Sequence, residues 1–179
     1  ARGVHSVDPG ESIAHYRKAI SHDASHIKAL NNLGSALFLE QKTEEAISLF
    51  RKVIKLKPDF VLAHNNLGSA LRGIGKTREA ISHYRTAIKL NPNHAEPYYN
   101  LGNALLSIKK TAEAISYYKT AIKLRPGYAE AHNNLGNTLL AEQKNEEAIS
   151  HYRTAIKLKP GFAVAQNNLE IALSTLENQ

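Results

Sequence analysis

The chain contains no cysteine, no methionine and no tryptophan. Without cysteine there is no disulfide framework, no thiol nucleophile and no thiolate metal ligand. Long apolar runs are missing as well, so no segment approaches the roughly 20 residues that a membrane-spanning helix needs. No secretory leader is visible, and a chain that opens on Ala1 without any methionine is expected to be a fragment or a processed form. There is no glycine loop of the kind that cradles phosphate, and no Ser/His/Asp grouping outside positions that a repeat imposes. These absences argue against an enzyme and against a bound cofactor. A net charge of +7 admits nucleic acid, anionic lipid or an acidic partner, so the placing of the charges has to decide. With 179 residues, 42% of them hydrophobic, the chain can bury a substantial core.

What is present is repetition. AHNNLG occurs at Ala63–Gly68 and again at Ala131–Gly136, with near-copies ending at Gly34, Gly102 and Glu170. Pro58, Pro92, Pro126 and Pro160 are spaced by 34 residues without insertion, as are Gly34, Gly68, Gly102 and Gly136, and Ala46, Ala80, Ala114 and Ala148. Tyr16, Phe50, Tyr84, Tyr118 and Tyr152 share one phase. A fixed period of this length is the mark of a stacked-repeat architecture. Residues 1–7 form a tail and 8–26 the second half of a repeat. Four full units follow at 27–60, 61–94, 95–128 and 129–162, and 163–179 is a closing helix whose exposed face is solvated.

Each unit reads as two helices. Leu135, Leu139 and Leu140 make one apolar stripe, and Ile149, Tyr152, Ile156 and Leu158 a second. Thr43, Thr77, Thr111 and Asn145 are expected N-caps, followed in the first turn by Glu45, Glu79, Glu113 and Glu147. Lys in the last turn and a Pro-containing turn end the second helix. Asp8, Pro9 and Glu11 read as a cap, a first-turn proline and a capping-box glutamate. The expectation is ten helices and no strand. Gly at the middle of the first helix marks close approach, and Glu170 at that phase in the last helix implies that the approach is not made there.

These residues resemble the tetratricopeptide repeat: Leu-Gly in the first helix, Ala and an aromatic in the second, and a closing Pro, from about Asp8 to the C-terminus. The resemblance implies an all-α fold, an α-α superhelix of antiparallel helix pairs, with first helices lining a concave channel. The aromatic usual early in the first helix is Leu30, His64, Tyr98 and His132 here, and the usual later Tyr is Leu37, Leu71, Leu105 and Leu139. The NNLG, EAI and Leu-x-Pro-x-Phe phrases also look like the repeat arm of O-GlcNAc transferases and bacterial relatives. In that arm an asparagine ladder grips extended peptide backbone. The matching positions are Asn32, Asn66, Asn100, Asn134 and Asn168.

Helical spacing adds a second stripe on the first helices: Lys28, Asn31 and Ser35; Leu62, Asn65 and Ser69; Glu96, Tyr99 and Asn103; Glu130, Asn133 and Asn137. A primary amide both donates and accepts, so it can pair with a peptide unit whatever the side chain. Asn31, Asn65 and Asn133 are therefore expected to face a ligand, with Tyr99 as an aromatic anchor. The Asn66-type positions are divided between the seam of neighbouring repeats and the channel. The expected partner is a protein or peptide segment, and exposed repeat ends could support self-association. Lys is absent where a chaperone-tail clamp would need it, at Asn31, Asn65 and Asn133. Nucleic acid is disfavoured because the cations (Arg51, Arg85, Lys119, Arg153; Lys55, Lys89, Lys123, Lys157) fall on the second helices and few aromatics line the channel. His15, His83 and His151, and His64 and His132, recur at every second repeat, too far apart within each series to share a metal, so they read as surface or seam residues.

Overall fold

The computed structural model describes residues 9–177. It contains α1 (Pro9–His22), α2 (Ile27–Leu39), α3 (Thr43–Leu56), α4 (Val61–Gly73), α5 (Thr77–Leu90), α6 (Ala95–Ser107), α7 (Thr111–Leu124), α8 (Ala129–Ala141), α9 (Asn145–Leu158) and α10 (Ala163–Glu177). Among the described residues there is no strand. The expected cap at Asp8 lies outside them, as does the capping-box side chain of Glu11.

The chain divides after Asn91 into two compact units. In the first, α2 packs on α3 and α4 on α5, while α3 packs on α4 and α1 on α2. The second repeats the scheme, with α6 on α7, α8 on α9, α7 on α8 and α10 on α9. Each unit is thus a stack of helical hairpins, numbered here repeats 1 and 2 (α2–α3, α4–α5) and repeats 3 and 4 (α6–α7, α8–α9).

The first-helix leucines build the core of both units: Leu33, Leu37, Leu67 and Leu71 in one, Leu101, Leu105, Leu135 and Leu139 in the other. They meet the buried alanines and aromatics of the second helices, Ala46 and Phe50, Ala80 and Tyr84, Ala114 and Tyr118, Ala148 and Tyr152. Fully burying one such leucine contributes about 1.5–3 kcal/mol, which is why short helices without strong caps hold. Leu158, expected in the core stripe, is 42% exposed at the end of α9.

The close approach marked by glycine is made between backbone and ring. A Cβ on Gly34 would lie 2.7 Å from Phe50 Cε1, and on Gly68, Gly102 and Gly136 it would lie 2.7, 2.6 and 2.7 Å from Cε1 of Tyr84, Tyr118 and Tyr152. Glu170, at that phase in α10, is exposed.

The capping expectation fails. Thr43, Thr77, Thr111 and Asn145 are the first helical residues, the caps are Lys42, Lys76, Lys110 and Lys144, and none makes a side-chain capping bond. The reason is the tightness of the preceding turn. Lys42, Lys76, Lys110 and Lys144 donate their N–H back to the carbonyls of Leu37, Leu71, Leu105 and Leu139, and their own carbonyls take the first helical bond. The helix therefore starts one residue earlier than the threonines suggest. In the same turns the chain passes through the left-handed region at Gln41 (φ 63°), Lys109 (φ 61°), Gln143 (φ 60°) and Gly75 (φ 78°).

This geometry makes two substitutions informative. Gly102→Ala forces a methyl against the buried Tyr118 ring, and denaturant unfolding should show a loss of about 1–3 kcal/mol. Gln143→Gly relieves a left-handed non-glycine residue and, after the extra freedom gained by the unfolded chain, should raise stability by about 0.5–1 kcal/mol in the same measurement.

Candidate functional site

The two amides of each pair occupy different environments, in the reverse of the expected order. Asn31, Asn65 and Asn133, expected to face a ligand, are buried at 4%, 6% and 4% exposure. Asn66, Asn100, Asn134 and Asn168 are half-buried and Asn32 is exposed. The physical reason is visible at Asn31 and Asn133, which lie beneath the first helix of the following repeat. Asn66 Nδ2 donates to Asn31 Oδ1 (3.2 Å), and Asn168 Nδ2 to Asn133 Oδ1 (3.0 Å). Asn167, at the phase of Asn133 in α10, is exposed.

The second amides form the seam. Asn66 Nδ2 also donates to Ser35 Oγ (3.1 Å), and Asn168 Nδ2 to Asn137 Oδ1 (2.9 Å). Asn134 Nδ2 reaches Tyr99 OH (3.0 Å) and Asn103 Oδ1 (2.9 Å). Within the pair, Asn31 Nδ2 donates to Asn32 Oδ1 (3.4 Å) and Asn133 Nδ2 to Asn134 Oδ1 (3.3 Å). In the second unit the donors run in one direction, Asn168 to Asn133, Asn133 to Asn134, Asn134 to Asn103.

A third set of groups joins from the second helices. Each tyrosine that fills the glycine gap extends its hydroxyl through to the first-helix face: Tyr84 OH donates to Ser69 Oγ (3.2 Å), Tyr118 OH to Asn103 Oδ1 (2.8 Å) and Tyr152 OH to Asn137 Oδ1 (2.7 Å). Burial raises the Tyr84 phenol and pushes Tyr152 up to about 12, so both remain protonated donors. Asn103 and Asn137 thus have their Oδ1 atoms occupied twice, and no group among the described residues takes their Nδ2 donors. Asn103 is half-buried and Asn137 exposed. Tyr99 is built into the seam rather than standing free, with its ring 4.8 Å from that of Tyr128 and 6.0 Å from that of Tyr118.

Two histidine pairs are an arrangement that comparison of same-phase residues missed. His64 Nδ1 lies 3.2 Å from His83 Nδ1, and His132 Nδ1 lies 3.1 Å from His151 Nδ1. The readable signal was a spacing of 19 within each repeat, where the residues match: Leu30 with Leu49, His64 with His83, Tyr98 with Tyr117, His132 with His151. Burial lowers the pKa of His83, His132 and His151, with His64 and His132 adding to the effect at their partners. Among the described residues no group of three or more His, Asp or Glu could hold a metal. The cations Arg51, Lys55, Arg85, Lys89, Lys119, Lys123, Arg153 and Lys157 are all exposed on second helices.

Comparison with known proteins agrees with this architecture. A tetratricopeptide repeat model matches residues 65–129 and 99–161, together more than half of the chain, and a TPR repeat model matches 34–75. The chain belongs to the tetratricopeptide repeat family, and its fold class is the α-solenoid of paired antiparallel helices, a protein-interaction scaffold. Among solved structures, MamA is 27% identical over 86% of this chain and 92% of its own, with a TM-score of 0.73. YrrB, described as a TPR protein with an unusual peptide-binding site, is 24% identical over 89% of this chain and 82% of its own, with a TM-score of 0.68. MamA residues 41 to the end from Desulfovibrio magneticus RS-1 are 23% identical over 86% and 87%, with a TM-score of 0.72. The likenesses at 24% and 23% identity show the fold alone. No curated protein sequence matches the chain.

Removing the seam donor is expected to be costly. Asn134→Ala leaves Asn103 Oδ1 and Tyr99 OH without their shared donor, and the unfolding free energy should fall by about 1–2 kcal/mol. Asn167→Ala, which takes away an exposed amide of α10, should change it by less than about 0.5 kcal/mol in the same denaturant titration.

Proposed function

We propose that the first-helix faces bind an extended segment of a protein partner, with side-chain amides engaging its main chain. The observation that carries this reading is the double occupation of Oδ1 at Asn103 and Asn137, which leaves an outward N–H donor group in each of repeats 3 and 4. A main-chain carbonyl is the acceptor that every peptide supplies at regular intervals, so such donors read backbone with little regard to sequence. Each neutral hydrogen bond contributes only about 0.5–1.5 kcal/mol, so binding has to be spread over several repeats. In the first unit, Asn32 is the exposed amide of repeat 1. Asn66, Asn134 and Asn168 contribute through their outer edges, while Asn31 supports Asn66 and Asn133 supports Asn168 from beneath. Tyr99 supplies an aromatic wall. The reading is non-enzymatic, because amides and phenols held protonated offer no acid–base pair near neutral pH.

The unusual peptide-binding site described for YrrB, a protein of the same fold, supports the peptide reading. The unbroken row of asparagines supports a second: that this face recruits protein substrates for a catalytic domain elsewhere in a larger protein, as the likeness to O-GlcNAc transferase arms suggests. RNA remains the weaker alternative, since the exposed cations lie on the other helices.

Asn103→Asp and Asn137→Asp together keep the acceptors that Tyr118, Tyr152, Asn134 and Asn168 need and replace the outward donors with charged acceptors that repel a main-chain carbonyl. A random array of 12-residue peptides, probed with parent and variant, should show binding lost or reduced tenfold or more by the double variant while the melting temperature stays within a few degrees. Undiminished binding across the array would reject the proposal.

A further inference from the structure

The polar residues at the phase of His64 share one task. His64 Nε2 lies 2.9 Å from the Pro58 carbonyl, and His132 Nε2 lies 3.1 Å from that of Pro126. Tyr98 OH donates to the Pro92 carbonyl (3.0 Å) and Gln166 Nε2 to that of Pro160 (2.9 Å). Each ties the start of a first helix to the turn before it. A carbonyl only accepts, so Nε2 of His64 and of His132 must carry the proton, and their Nδ1 atoms are left as lone pairs. The facing Nδ1 of His83 and of His151 must then be the donor. One chain of bonds runs from second helix to first helix to turn, with a single proton held between two imidazoles.

The ring centroids stand 5.4 and 5.3 Å apart while the facing nitrogens are 3.2 and 3.1 Å apart. The nitrogens therefore lie close to the line joining the rings, head-on, as an N–H···N bond requires. A chelated metal would need both lone pairs to converge off that line, at about 2.0–2.1 Å from each nitrogen. The arrangement suits a proton and not an ion.

We propose that His64–His83 and His132–His151 are acid-operated latches that loosen repeats 2 and 4, and not repeats 1 and 3, as pH falls below neutrality. A further proton on the accepting Nδ1 sets two N–H groups against each other, and a further proton on the donor ring places an imidazolium in a half-buried site. The surroundings resist the extra charge. Arg51 of α3 acts on His83 and Lys119 of α7 acts on His151, opposed by Glu79 of α5 and Glu147 of α9, each one turn before its histidine. Glu79 is itself drawn toward Arg51 (3.8 Å) and Lys76 (3.9 Å). Near His132, Glu130 is engaged by Lys159 (3.1 Å). Lys28 of α2, Lys57 and Asp59 beside Pro58, and Glu170 of α10 are exposed, and Arg125 beside Pro126 lies over the Tyr128 ring.

The sign is fixed by the lowered folded-state pKa of His83, His132 and His151. The unfolded or opened chain, near 6.5, takes up protons first as pH drops. Stability contributed by the pairs is complete above about pH 6.5 and is lost as pH falls from there through the folded-state values. Repeat 1 carries Leu30 and Leu49 at these positions and repeat 3 carries Tyr98 and Tyr117, so no imidazole pair joins the helices there.

Hydrogen exchange at pH 7.5 and 5.5, corrected for the intrinsic rate, tests this directly. Protection in α4–α5 and α8–α9 should fall by at least severalfold, each pKa unit between open and closed states being worth tenfold, while α2–α3 and α6–α7 hold. The variant H64L/H83L copies the Leu30–Leu49 pair of repeat 1 and should abolish the loss in repeat 2 alone; H132L/H151L should do the same in repeat 4. His64→Gln, after Gln166, should keep the tie to Pro58 and the protection of repeat 2 at pH 7.5. Uniform loss of protection in all four repeats, or an acid-induced loss that survives in the leucine variants, would overturn the proposal. So would protection of the parent by micromolar Zn²⁺ at pH 7.5 that the leucine variants lack, which would make the pairs metal ligands.

Discussion

The contact on which the rest depends is an aromatic ring pressed onto a glycine. In each full repeat the second helix brings Phe50, Tyr84, Tyr118 or Tyr152 to within van der Waals contact of the first-helix backbone, at a place where even a methyl group would collide. That contact sets how near the two helices lie and which way each is turned. Leu67 and Leu71, or their equivalents, then enter the core together with Ala80, and the opposite edge of the first helix is left for polar groups. Because the ring is usually tyrosine, the same contact carries a hydroxyl from the outer helix to the inner face. The apolar core and the amide network are therefore one construction: Tyr118 packs on Gly102 and donates to Asn103 one residue further along.

This coupling explains how the surface chemistry is sorted. Amide oxygens are consumed inside the molecule by tyrosine hydroxyls and by amides of the next repeat, and the groups left facing outward at Asn103 and Asn137 are donors. A face built this way offers hydrogen-bond donors of fixed position without any buried charge, which avoids the desolvation cost of an ionic groove. In the proposed reading, affinity for a partner accumulates by length of contact. The cations stay in solvent on the second helices, where Arg51 meets Glu79 at the surface and such pairs contribute little to stability.

Much of this was legible in the sequence. Pro, Gly, Ala and Tyr at a fixed spacing of 34 name the hairpins, and the leucines name their inner edges. What periodicity could not resolve was the facing of adjacent residues. Asn65 and Asn66 differ by one position, about 100° of helix rotation, and the stripe drawn through Asn31, Asn65 and Asn133 lands on a boundary between faces. Which side of that boundary is buried depends on the following repeat, as Asn167 shows by being exposed where Asn133 is not. The threonine caps misled for a related reason: a turn through Gln41 or Gly75 folds back on the preceding helix and puts Lys42 or Lys76, one residue before the threonine, at the cap. Each histidine recurs along the stack, but its partner lies across the hairpin, at a spacing the four matched pairs display.

The one-way run of seam bonds has a consequence for how such a chain can change. Within each unit the donor comes from the later repeat and the acceptors from the earlier one, from Asn66 back to Asn31 and Ser35, and from Asn134 back to Tyr99 and Asn103. Serine, tyrosine and asparagine all serve as acceptors, so the joint tolerates variation on one side while the other stays asparagine. Within each unit the same donor therefore fits either set of acceptors. Where this joint is used, 34-residue units can be gained or lost with the seam bonds still made, which makes length a property that duplication can tune separately from the chemistry of the surface.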